Sequence, residues 1–101
     1  KKGNIMRRAA RTDANQTQVI IALRAAGATV QSLSAVGDGV PDLLVGYKGV
    51  TYLLEVKDGN KVPSKRMLTP DQIEWHERWM GGTLAVVEHP DAALRLIGAI
   101  N

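Results

Sequence analysis

Cysteine is missing from the 101-residue sequence. Its absence excludes a disulfide scaffold, thiol catalysis and a zinc site built on cysteine. No run of about 18 apolar residues occurs, so no membrane-spanning helix is expected. The opening segment Lys1-Lys2-Gly3-Asn4-Ile5-Met6-Arg7-Arg8 is basic, but it leads into no apolar stretch of signal-peptide length. A cytoplasmic protein with no membrane association is the expectation. Internal repeats and low-complexity segments are lacking. His76 and His89 form no pair at helical metal spacing. The glycines around Asp38 start neither of the two glycine-rich phosphate-binding patterns.

What is present is 45% hydrophobic and 23% charged, the balance of one small folded domain. A domain of this size buries only ~60–65% of the surface its unfolded chain exposes, so association with a second copy would add stability. Net charge is +3, unevenly spread. Residues 1–11 carry +5 with no acid, and residues 57–66 carry +3 through Lys57, Lys61, Lys65 and Arg66 against Asp58. Between them residues 12–56 sum to −2, and residues 67–101 sum to −3. Two basic blocks flanking an acidic body fit a polyanion partner; solvated, solubilising segments are the alternative. We read residues 1–11 as a basic N-terminal arm and residues 12–101 as a single domain.

The pattern predicts seven elements. Thr12 or Asp13 can cap a helix over residues 15–26, in which Gln16, Val19, Ile20 and Leu23 share one face and Gly27 stops the helix. Residues 29–33 read as a strand and Gly37-Asp38-Gly39 as a turn. Two further strands follow, over residues 41–47 and 50–57, and then a basic loop over residues 58–68. Thr69-Pro70-Asp71-Gln72 starts a helix: Thr69 caps it, Pro70 takes the first helical position and Gln72 completes a capping box. That helix is expected to run to about Met80, before Gly81-Gly82. A buried strand over residues 83–87 and a last helix from Pro90, carrying Leu94, Leu96 and Ile97, complete an α-β-β-β-α-β-α order.

The middle hairpin can be registered by arithmetic. A two-residue turn at Lys48-Gly49 opposes 47 with 50, 45 with 52 and 43 with 54 on one face; Lys-Gly is a weaker turn signal than Asn-Gly, and a one-residue bulge is the alternative. Tyr47, Val50, Val45, Tyr52, Leu43, Leu54 and Val56 then form an apolar, core-facing surface. On the other face Asp42 lies across from Glu55, and Lys57 projects beside Glu55. Opposed carboxylates repel and cost stability, which makes sense if a divalent cation sits between them. Hard oxygen ligands suit Mg²⁺ or Mn²⁺. A surface ion-pair cluster is the alternative reading of the same three residues.

Gly39-Val40-Pro41-Asp42, a gap of twelve residues and then Glu55-Val56-Lys57 resemble the PD-(D/E)XK nuclease signature. The α-β-β-β-α-β order resembles that superfamily's core. From about Asp13 to Val87 the chain is similar to the stand-alone virus-type replication-repair nucleases (VRR-NUC) of phages. The resemblance extends to Gln72, which matches the glutamine that this group carries on the helix after its lysine. It implies a restriction-endonuclease-like α/β fold with a mixed central sheet, on which the first helix and the Thr69 helix pack. It also implies Mg²⁺- or Mn²⁺-dependent, structure-selective cleavage of DNA, with four-way (Holliday) junctions the leading substrate. One position departs from the pattern. Many relatives carry a Glu on the first helix at the metal site, and the matching place here holds Gln16, an amide without charge.

By this reading Asp42, Glu55 and the backbone carbonyl of Val56 hold the metal, and Lys57 orients the attacking water and stabilises transition-state charge. Gln72 and Gln16 complete the site. Capping alone would explain Gln72, and a frayed first turn would explain Gln16. Arg7, Arg8 and Arg11 of the arm, with Lys61, Lys65 and Arg66 of the loop, would hold DNA phosphates. Cutting two symmetric strands calls for a homodimer, with Leu94 and Ile97 or the Trp75–Met80 helix as contacts. Trp75, Trp79, Met67 and Met80 read as core or dimer contact, and His76 as a partly buried or surface histidine. A catalytically inactive nucleic-acid-binding module of the same fold is the main alternative.

Overall fold

A computed structural model describes residues 14–101. The basic arm, with Arg7, Arg8 and Arg11, and the two proposed caps Thr12 and Asp13 lie outside the described residues. The observed order is α1 (Ala14–Ala25), β1 (Thr29–Ser32), β2 (Leu43–Tyr47), β3 (Val50–Val56), a short 3₁₀ turn (Pro63–Lys65), α2 (Pro70–Arg78), β4 (Thr83–Val87) and α3 (Pro90–Leu96). The seven expected elements are all present. The edges are shorter than the sequence suggested: Leu33, Pro41, Asp42 and Lys57 fall just outside the ladders, and α2 ends at Arg78.

The sheet has the order β1-β2-β3-β4. β1 and β3 both run antiparallel to β2, and β4 runs parallel to β3. The sheet is therefore mixed, because the β2–β3 connection is a tight turn whereas β3 reaches β4 through α2. The hairpin register is the one the alternation requires, with Leu43 opposite Leu54, Val45 opposite Tyr52 and Tyr47 opposite Val50. The turn is a two-residue one with φ of +49° at Lys48 and +83° at Gly49, the doubly positive geometry that matches strand twist.

Leu43, Val45, Tyr52, Leu54 and Val56 are buried on the predicted face, together with Val19 and Leu23 of α1 and Ala93 and Ile97 of α3. Each fully buried leucine contributes roughly 1.5–3 kcal/mol. Tyr47 is only half-buried and Val50 is exposed, because both sit at the hairpin tip beside the turn. α1 ends in a Schellman arrangement: the Gly27 N–H donates to the Arg24 carbonyl and the Ala28 N–H to the Leu23 carbonyl, both at 3.0 Å.

Three expectations about exposure change. β4 is an edge strand, in which only Val87 is buried. Ile97 of the last helix is spent in the core and Leu94 packs against it, which removes that face as a free dimer contact. α2 has no buried residue. Trp79 is exposed, and Met67 and Met80 are 70% and 94% exposed, so these side chains are not core. α2 reaches the sheet at its Glu55 end, through the side chains of Gln72 and His76.

Candidate active site

The sequence elements that carry chemistry meet at one end of the sheet. Asp42 precedes β2, Glu55 and Val56 end β3, and Lys57 follows them. A polar cavity of about 430 Å³ opens there, lined by Gln16, Asp42, Glu55, Val56, Lys57, Asp58, Lys61, Lys65 and Gln72. Every predicted catalytic and metal position lines this one cavity.

Asp42 is oriented by the neighbouring strand: its Oδ2 accepts the Val56 N–H at 2.8 Å. The turn leading to it is pinned from the other side. Gly37, Asp38 and Gly39 all have positive φ, and a Cβ at Gly39 would overlap the backbone carbonyl of Asp71. Only glycine lets this turn touch the first turn of α2, the turn that carries Gln72.

Gln72 performs two tasks with one amide. Its backbone N–H donates to Thr69 Oγ1 at 3.3 Å and its Oε1 accepts the Thr69 N–H at 2.9 Å, which closes the capping box. The same Oε1 accepts from Lys57 Nζ at 2.9 Å, and Nε2 donates to Glu55 Oε2 at 3.1 Å. Capping and the site are thus served together. Gln16, only 6% exposed, donates through Nε2 to Ser34 Oγ at 2.8 Å.

Glu55 is 1% exposed. Its carboxyl is pushed up from the ordinary 4.5 to about 9. Burial is the largest cause, and Asp42 adds to it both as hydrogen-bond partner and as a negative charge, while Lys57 opposes the shift. Oε1 of Glu55 is buried with no hydrogen-bond partner. A divalent cation would remove both costs, the charge repulsion and the orphaned oxygen. The donors Asp42, Glu55 and the Val56 carbonyl are hard oxygens, so the residues present fit Mg²⁺ or Mn²⁺. Among the described residues no group of three or more His, Cys, Asp or Glu side chains is placed to hold a metal ion.

The basic loop divides. Lys61 and Lys65 line the cavity. Arg66 turns away to pair with Glu88 at 3.2 Å.

Compared with known proteins, the fold is similar to a solved structure of a VRR_NUC domain, with a TM-score of 0.60 and 36% identity over 81% of this chain and 88% of that one. The chain belongs to the VRR-NUC domain family. No family model and no curated protein matches the sequence. The mixed α/β architecture of this VRR-NUC domain and its α-β-β-β-α-β-α order are those the sequence suggested, and the family fold is nuclease-like. No helix among the described residues is long and apolar enough to cross a membrane.

Two residues around the VRR-NUC site were not singled out from the sequence as site residues. Asn15 Nδ2 donates to the Lys57 carbonyl at 2.7 Å and to the Glu88 carbonyl at 3.2 Å, tying α1 to the ends of β3 and β4. His76 brings Nε2 to 3.8 Å from Glu55 Oε1. Burial, and secondarily the charge of Lys57, hold its imidazole below the ordinary histidine range. A signal for His76 existed: it follows Gln72 by four residues, and that spacing puts the two on one helix face.

Proposed function

We propose that this VRR-NUC domain is a divalent-metal-dependent DNA endonuclease of the PD-(D/E)XK superfamily. It hydrolyses phosphodiester bonds of branched DNA, four-way junctions foremost. The observation that carries the reading is the meeting of Asp42, Glu55, Lys57, Gln72 and Gln16 around one polar cavity that is also lined by Lys61 and Lys65.

Asp42, Glu55 and the carbonyl of Val56 would hold the cation. When bound, a divalent ion polarises phosphate oxygens and lowers the pKa of the attacking water. Lys57, fixed by Gln72, orients that water and places positive charge where negative charge develops on the phosphate. Water oxygen bonds to phosphorus and gives up a proton to solvent, the bond to the leaving oxygen breaks, and the leaving oxygen takes up a proton from solvent. Gln16 supplies a neutral amide at the cavity wall. Lys61 and Lys65, with Arg7, Arg8 and Arg11 of the arm, would hold flanking phosphates and position the DNA without reading its sequence. Arg66 would add to that field while paired with Glu88.

One cavity cuts one strand, so paired cuts in a junction call for two copies. A second copy would meet α2 and the residues just past it, where Ile73, Trp79 and Met80 are exposed and Trp75 and Trp79 stack with centroids 5.2 Å apart. The test is cleavage of labelled duplex, flap, splayed and four-way DNA with Mg²⁺ or Mn²⁺, alongside the mass in solution. Metal-dependent paired cuts in the junction at a mass near twice 10.9 kDa support the proposal. Salt-sensitive binding with no cleavage of any substrate would leave a binding module.

A further inference from the structure

α2 presents two side chains, one helical turn apart, to the carboxyl group of Glu55. Gln72 reaches Oε2 and donates to it at 3.1 Å. His76 faces the other oxygen, with Nε2 at 3.8 Å from Oε1. That separation is beyond hydrogen-bond range. Yet both atoms are closed off from solvent, and neither has a hydrogen-bond partner. Two orphaned buried polar atoms facing each other are unusual, because buried polar groups nearly always find partners. The histidine side chain is 15% exposed and that of Glu55 2%. A donor and an acceptor left waiting less than 1 Å beyond bonding range form a contact that a small turn of either side chain completes.

We propose that His76 is a positioning residue for Glu55. Its Nε2–H donates to Oε1 when the carboxylate is charged and engaged with a cation, so that α2 brackets both carboxylate oxygens, Gln72 on one and His76 on the other. The inference rests on the metal reading above. A carboxylate has about four lone-pair sites, so these two bonds leave room for the ion. Hydrogen bonds from outside the ligand set fix a ligand's orientation and strengthen binding in metal sites generally. His76 touches neither substrate nor ion in this account; it acts through Glu55.

The experiment titrates the full chain with Mn²⁺ alone, without DNA, by calorimetry. It compares wild type with His76→Leu, which keeps bulk and loses the donor, and with His76→Gln, whose amide nitrogen reaches the place of Nε2. Asp42→Ala marks the site being titrated. The expected result is Mn²⁺ affinity ~10–100-fold weaker in His76→Leu, as for loss of an outer hydrogen-bond partner, and near wild type in His76→Gln. Should His76→Leu not fold, His76→Asn takes its place, because its shorter amide cannot reach Oε1. His76→Leu binding Mn²⁺ as wild type does, or His76→Gln as weak as His76→Leu, overturns the inference while leaving the metal reading intact. Wild type that binds no Mn²⁺ overturns the metal reading and this inference together.

Discussion

Lys57 Nζ donates to Gln72 Oε1 at 2.9 Å, and that oxygen also closes the capping box of α2 by accepting the Thr69 N–H. The start of a helix and the position of a lysine at the end of a strand are therefore set by one atom. Loosening α2 would free Lys57, and removing Lys57 would leave the cap in place.

Replacing Asp42 by Ala should abolish metal-dependent cleavage. The loss should exceed the ~10–100-fold that removal of an outer partner costs, because a direct ligand goes. The Val56 N–H loses its acceptor, at roughly 1–3 kcal/mol, a loss the protein should survive folded. Undiminished cleavage by folded Asp42→Ala protein would falsify the site assignment.

Lys57→Ala should lose turnover while keeping Mn²⁺ affinity and most DNA affinity, because its task is greater in the transition state than in the ground state. Single-turnover rates and binding isotherms separate the two. An equal factor lost in rate and in DNA affinity would make Lys57 a phosphate-holding residue only.

Gln72→Glu separates the two tasks of that side chain. Glutamate is the other standard partner in a capping box, so α2 should persist by circular dichroism. It cannot donate to Glu55 Oε2, and it adds a third negative charge beside Asp42. Cleavage should fall by about tenfold or more. Full activity in this variant would reduce Gln72 to a cap.

The metal-free protein should show an inverted pH profile at Glu55. Its folded-state carboxyl titrates near 9 against an ordinary 4.5, so across that window the native state keeps a proton that the unfolded chain has released. Stability then falls as pH rises, by at most ~1.4 kcal/mol per pH unit, and levels off above the window. His76 acts in the opposite sense. Held below its ordinary 6.5, it lowers stability as pH falls through that value. The diagnostic quantity is therefore wild type minus Glu55→Gln, measured by urea unfolding in EDTA at pH 5, 7 and 9. That difference should decline with pH, and Mg²⁺ should restore it at pH 9. A difference that rises with pH contradicts the burial of Glu55 as an uncompensated acid.

Much of the site was legible because it is local or registered by local rules. The alternation on both strands favours the pairing that sets Asp42 across from Glu55, and the observed register chooses it over a one-residue bulge. Thr69 and Gln72 lie within four residues, so their capping box needs no tertiary information. Strand ends were less legible: Leu33, Pro41 and Lys57 adjoin strand patterns, and only the pairing shows that they lie beyond the last paired residues.

The order of elements, the hairpin register and the pairing of carboxylates with a lysine follow from the residue pattern, because each depends on spacings of a few residues or on a period-two alternation. Which side chains close around them depends on long-range packing. Asn15 reaches Lys57 from 42 residues away, Arg66 is drawn to Glu88 across 22, and α2 brings His76 Nε2 to 3.8 Å from Glu55 Oε1. Exposure of α2 and β4 was hidden for the same reason. An apolar side chain reads alike whether its own sheet covers it or nothing does, and coverage depends on how distant segments pack.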